Sequence, residues 1–67
     1  MFNRKLLQAL LIQRNVTQEE LAAAVGCTQG FLSMILMGYK TPSLLLAYRI
    51  ARYFDMKVDS FINPEEE

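Results

Sequence analysis

Histidine is absent from the 67 residues, cysteine occurs once, as Cys27, and the carboxylates stand in separated pairs or at the very end of the chain. Acid–base, nucleophilic and phosphate-transferring catalysis needs such groups in convergent sets or a glycine-rich phosphate loop, and neither occurs at usable spacing. An enzyme is therefore not expected. The same shortage leaves no zinc or calcium ligand set, and no cofactor is implied. A lone cysteine cannot form an internal disulfide, so the chain reads as a protein of a reducing compartment, the cytoplasm by default. The apolar stretch from Leu6 to Ile12 is broken by Gln8 and too short to span a bilayer, and no small-residue cleavage site follows it. Neither membrane insertion nor export is expected. Net charge is also lacking, because seven basic residues balance seven acidic ones.

That balance is uneven. Glu65, Glu66 and Glu67 follow Pro64, and without them the remaining residues carry seven positive and four negative charges, a modestly cationic body. The expected organisation is one domain over residues 1–63 with a flexible acidic tail over residues 64–67. A chain this short buries only about 60% of the surface it exposes when unfolded, which allows a single marginal core. With 52% apolar residues and few aromatics, it has the composition of a globular domain.

The punctuation is helical throughout. Asn3 caps a first helix in which Leu6, Leu7, Leu10 and Leu11 fall at helical spacing, running to about Arg14 with Asn15 near its end. Thr17-Gln18-Glu19-Glu20 is a capping box that opens a second helix, and its two glutamates suit the first turn of a helix dipole. Leu21, Ala22 and Val25 give that helix an apolar face, and Gly26 ends it. Thr28 caps a third helix to about Met37, with Leu32 and Ile35 inward and Gly38 at its end. Ser43 follows Pro42 and caps a fourth, which turns Leu46, Ile50, Ala51 and Phe54 toward the core before Asp55 takes a turn. A fifth short helix is predicted over Val58 to Ile62 with Phe61 inward. No strand-like alternation competes with this reading.

Two short helices joined by a three-residue turn containing glycine fit a helix-turn-helix on physical grounds. Ala22 is small where the helices cross, Gly26 takes the turn, and Leu32 and Ile35 anchor the second helix. At Gln18-Glu19-Glu20-Leu21-Ala22, Gly26, Thr28, Leu32, Ile35, Gly38 and Pro42-Ser43, and on through Ile50-Ala51 and Val58-Asp59, the sequence resembles the Cro and phage-repressor (XRE) family of DNA-binding domains. The resemblance covers nearly the whole chain. It implies an all-α, five-helix, lambda-repressor-like domain whose third helix lies in the major groove of double-stranded DNA.

Carried over position by position, the resemblance makes Gln29, Gly30, Ser33 and Met34 the base-facing set. It places Thr17, Gln18, Thr28, Tyr39, Lys40 and Thr41 against phosphates. Gln29 is the strong reader, since its amide pairs bidentately with adenine, and Met34 suits a thymine methyl. Arg4, Arg14, Arg49 and Arg52 are open between phosphate contacts and solubilising helix faces. Cys27 is read as a half-buried packing group in the turn.

Two readings of function stand side by side. The first is a repressor-like, sequence-specific transcriptional regulator acting as a homodimer, because two-fold operators reward two-fold proteins. Met56, Val58 and Ile62 are its candidate dimer contacts, with closure of the monomer core as their other role. The alternative is a protein-interaction module. It arises because helix three shows Phe31, Met34 and Met37 where the family often has polar or basic residues, and methionine-rich faces suit adaptable protein partners. The family also frequently pairs an arginine on helix one with a glutamate at the end of helix three. Here Leu11 and Leu36 replace both, and they are expected to meet, since two packed leucines can substitute for a buried ion pair.

Overall fold

The computed structural model describes residues 2–62, so Asn63 and the expected acidic tail lie outside the described residues. Four α-helices follow one another: α1 (Arg4–Gln13), α2 (Gln18–Val25), α3 (Gln29–Met37) and α4 (Leu44–Tyr53), with a single 3-10 turn at Val58–Ser60 after them. Each α-helix starts where a short polar side chain can accept from a backbone N–H that lacks an intrahelical partner. Asn3 accepts from Leu6 N, Thr28 from Phe31 N and Ser43 from Leu46 N, each at 3.1 Å. At α2 the capping box closes in both directions: Glu20 N donates to Thr17 Oγ1 at 3.0 Å and Thr17 N donates to Glu20 Oε1 at 2.9 Å.

The helix ends follow equally local rules. Gly26 and Gly38 terminate α2 and α3 with φ of 86° and 89°, a left-handed conformation in which any side chain would be strained. Asn15 and Asp55, at φ 57° and 59°, make the two turns that lack glycine, as their short polar side chains permit.

The apolar positions of all four helices close one core, within which Leu7, Leu21, Leu32, Ile35, Ile50, Phe54 and Phe61 are the large side chains fully removed from solvent. Phe61 stacks on Phe2 with ring centroids 5.5 Å apart. Asn3 N donates to Phe61 O at 2.7 Å, and an isolated antiparallel bridge joins Phe2 to Ile62. The residues before α1 are thereby laced to those after the 3-10 turn.

That lacing corrects the expected fifth helix. Residues 58–62 make one 3-10 turn rather than an α-helix: Ser60 N and Phe61 N donate three residues back, to Lys57 O and Val58 O, and Ile62 is already paired with Phe2. Leu11 and Leu36 are both buried in the shared core and line the same groove between α1 and α3. Among the described residues no single helix is long and apolar enough to cross a membrane.

Candidate nucleic-acid interface

Helices α2 and α3 meet at 112°, within the range of a helix-turn-helix. The turn between them is built by Gly26, whose N–H and that of Cys27 both donate to Ala22 O, at 2.9 and 3.0 Å. Ala22 and Val25 are buried against α3 and α4, so the crossing is set by core packing and leaves the opening turns of α2 and α3 in solvent. Gln29 and Gly30 are exposed at the start of α3, Ser33 is half-exposed one turn on, and Met34 is 41% exposed beside it. These four form a continuous outward stripe along the N-terminal half of the helix.

The polar surroundings of that stripe carry donors. At α3, Phe31 N is taken by the Thr28 hydroxyl and Leu32 N by Thr28 O, which leaves the Gln29 and Gly30 N–H groups without intrahelical acceptors. No acidic residue stands in the first turn of α3, so the positive end of its dipole is uncompensated. At α2 the Glu20 carboxylate is bent back onto Thr17 N, and the N–H groups of Gln18 and Glu19 are left outward. Beyond α3, Tyr39, Lys40 and Thr41 are all exposed.

The arginines add to this field, and among the described residues none is paired with a carboxylate. Arg4 Nη1 donates to Leu36 O at 3.1 Å, Arg49 Nη1 to Val25 O at 3.5 Å and Arg52 Nη1 to Tyr48 Oη at 2.9 Å. The Arg14 guanidinium lies 5.8 Å from the centroid of the Phe54 ring. Among the described residues the four guanidinium groups are therefore placed by neutral partners, which leaves their positive charge uncancelled there.

A helix-turn-helix family model matches residues 7–61. The chain belongs to the XRE-type helix-turn-helix family. It is 50% identical over 54 residues to an uncharacterised HTH-type transcriptional regulator of Archaeoglobus fulgidus, covering 79% of this chain and 76% of that one. A second such regulator, from Methanocaldococcus jannaschii, is 41% identical over 54 residues, covering 79% and 82% of the two chains. A third, from Bacillus subtilis, is 41% identical over 51 residues, covering 76% and 77%. No solved structure matches the chain significantly.

Within this XRE-type domain some predicted residues fall elsewhere than the sequence suggested. Phe31 is half-buried and packs on the core, so the exposed apolar surface of α3 is Met34 and Met37, the latter 56% exposed. Across the groove from Met37 stands Ile12, 81% exposed. Met56, Val58 and Ile62 are partly buried against the core, which favours their role in closing the monomer. Cys27 is half-buried, and desolvation pushes its thiol pKa up, the direction that makes it a poorer nucleophile at neutral pH.

Two residues that position α3 escaped the sequence reading. Gln8 Nε2 donates to Leu36 O at 2.7 Å, beside the Arg4 bond to the same carbonyl. The last carbonyls of a helix have no intrahelical donors, and here α1 supplies two. Arg4, Gln8 and Leu11 fall on one stripe of α1 by the i, i+3, i+4 rule. Once Leu11 is set opposite Leu36, that spacing is the signal that would have found them.

Proposed function

We propose that this chain is a sequence-specific, DNA-binding transcriptional regulator that binds as a dimer, with α3 in the major groove and a repressor-like role. The observation that carries the reading is the outward stripe of Gln29, Gly30, Ser33 and Met34 on an XRE-type α3, set at 112° to α2. The relatives' description as transcriptional regulators supports it, as does the placement of the arginines by neutral partners among the described residues. In the proposed complex, Gln29 pairs with the N6 and N7 edge of an adenine, and Met34 lies against a neighbouring thymine methyl. The opening turns of α2 and α3, with Tyr39, Lys40 and Thr41, hold phosphates and set the register without reading sequence.

Selection from randomised duplexes, followed by affinity measurement across a salt series, tests this. The expected half-site is rich in A·T pairs, and log affinity falls with log salt by about 0.9 per phosphate neutralised. Gln29→Ala should relax preference at one base pair by about 1–3 kcal/mol, with a smaller effect of Met34→Ala at the adjacent pair. Binding without sequence preference and without a salt slope would overturn the proposal.

A protein partner is the second reading, favoured by one observation. A groove of about 600 Å³ runs between the ends of α1 and α3, lined by Leu11, Ile12, Val16, Leu36 and Met37 among others. In that case Met37→Ala weakens the protein partner and leaves duplex affinity where it was.

A further inference from the structure

Between the start of α1 and the chain leaving α3 lies a second, smaller pocket of about 160 Å³, lined by Phe2, Arg4, Ile35, Gly38, Lys40 and Thr41. Its polar lining consists of two cations and a hydroxyl, with no carboxylate among the lining residues. Like charges brought together at one concavity repel, and an anion between them relieves the repulsion.

Arg4 is also held in place. Its Nη1 donates to Leu36 O at 3.1 Å, and its Nε and Cζ lie 3.0 and 3.2 Å from where a Cβ on Gly38 would stand. The missing side chain at Gly38 is thus what admits the guanidinium to the end of α3. A guanidinium carries five N–H donors in a planar fork, and Leu36 O accepts from one nitrogen, so donors remain for whatever enters the pocket. A fork already ordered loses little entropy when it takes a tetrahedral oxyanion. Thr41 adds a hydroxyl donor, and Lys40 a mobile point charge at the rim.

We propose that this pocket takes one phosphate group of the duplex backbone. Arg4 and Lys40 neutralise it, Thr41 donates to it, and Arg4 serves at once as a cap on α3 and as a phosphate ligand. The proposal rests on the DNA-binding reading above and deepens it by adding a residue of α1, which the sequence pattern leaves open, to the phosphate-gripping set. One guanidinium would then touch both the last turn of α3 and the DNA backbone, so that the phosphate contact fixes how far the reading helix stands from the strand.

The test is duplex affinity by fluorescence anisotropy over a salt series for the parent, Arg4→Ala, Lys40→Ala and Gln8→Ala. Arg4→Ala should weaken every duplex about tenfold and lower the log–log salt slope by about 0.9. Gln8→Ala removes the other donor on Leu36 O without removing charge, and should keep the parental slope whatever happens to affinity. Should Arg4→Ala fail to fold, Arg4→Gln keeps a donor for Leu36 O, loses the charge, and gives the same readout. A parent that binds duplex while the Arg4 variant keeps the full slope reduces Arg4 to a helix cap, overturning this assignment and leaving the DNA-binding function intact. A parent that binds no duplex overturns that function. In that event, NMR shifts of the Arg4 side-chain N–H and the Thr41 amide on adding inorganic phosphate at constant ionic strength would keep the pocket as a free-phosphate site. Silence there would overturn the pocket as well.

Discussion

Gly30→Ala separates two reasons for a glycine in the opening turn of α3. A Cβ built at Gly30 meets no atom within 4 Å, and the residue sits in regular helix, so the free protein gives no steric reason for glycine. Alanine is favoured over glycine inside a helix by about 0.5–1 kcal/mol. Gly30 is the second residue of α3, where the N–H has no helical acceptor and the turn is only partly constrained. The lower end, about 0.5 kcal/mol, is therefore the appropriate gain. A domain of this size shifts by about 4–8 °C per kcal/mol, so Tm should rise by about 2–4 °C. Total stability is about 3–10 kcal/mol for 67 residues, which makes such a rise measurable by far-UV circular dichroism. If DNA backbone or bases come close to the α3 backbone at this point, the added methyl occupies that space, and duplex affinity should fall several-fold while the protein becomes more stable. A lower Tm would refute the helix argument. Unchanged affinity would remove Gly30 from the base-facing set.

Phe61→Ala removes a fully buried ring and its stack on Phe2. The cost of about 3–5 kcal/mol is a large share of the total of about 3–10 kcal/mol, so the urea midpoint should fall by about a third or more, and a midpoint near the parent's would contradict the packing of Phe61 on Phe2. Partial burial raises the Cys27 pKa in the folded state. The neutral thiol's contribution is therefore full below the unfolded thiol's pKa and is lost as pH rises through the folded value. Cys27→Ala should flatten the alkaline limb of Tm against pH, and identical limbs would count against this.

The caps of α1 to α4 were legible from Asn3, Thr17, Thr28 and Ser43 because a cap is a bond between residues three apart. The chemistry and its geometry lie in the same few letters. Gly26, Gly38, Asn15 and Asp55 were legible for a similar reason, since backbone sterics at one residue decide which side chain can stand there. The outward stripe from Gln29 to Met34 followed from helical periodicity once the inward anchors Leu32 and Ile35 were placed.

What periodicity could not decide is where one helix ends on another. Phe31 looked outward on its own helix, yet it packs on the core. Arg4 and Gln8 looked like surface residues until α1 brought them to Leu36 O. The expected fifth helix is one 3-10 turn, after which Phe61 and Ile62 pair with Asn3 and Phe2 from before α1.

The sequence by itself determined the start of each of the four α-helices, their caps and the motif that assigns the family, all of which are local or periodic properties. Only the tertiary structure decided which arginine meets which carbonyl, that Gly38 makes room for a guanidinium, and that Arg4, Lys40 and Thr41 line one pocket. Those facts depend on the distance and angle between elements far apart in the chain. That geometry is set by the packing of the whole core at once, which no single stretch of residues specifies.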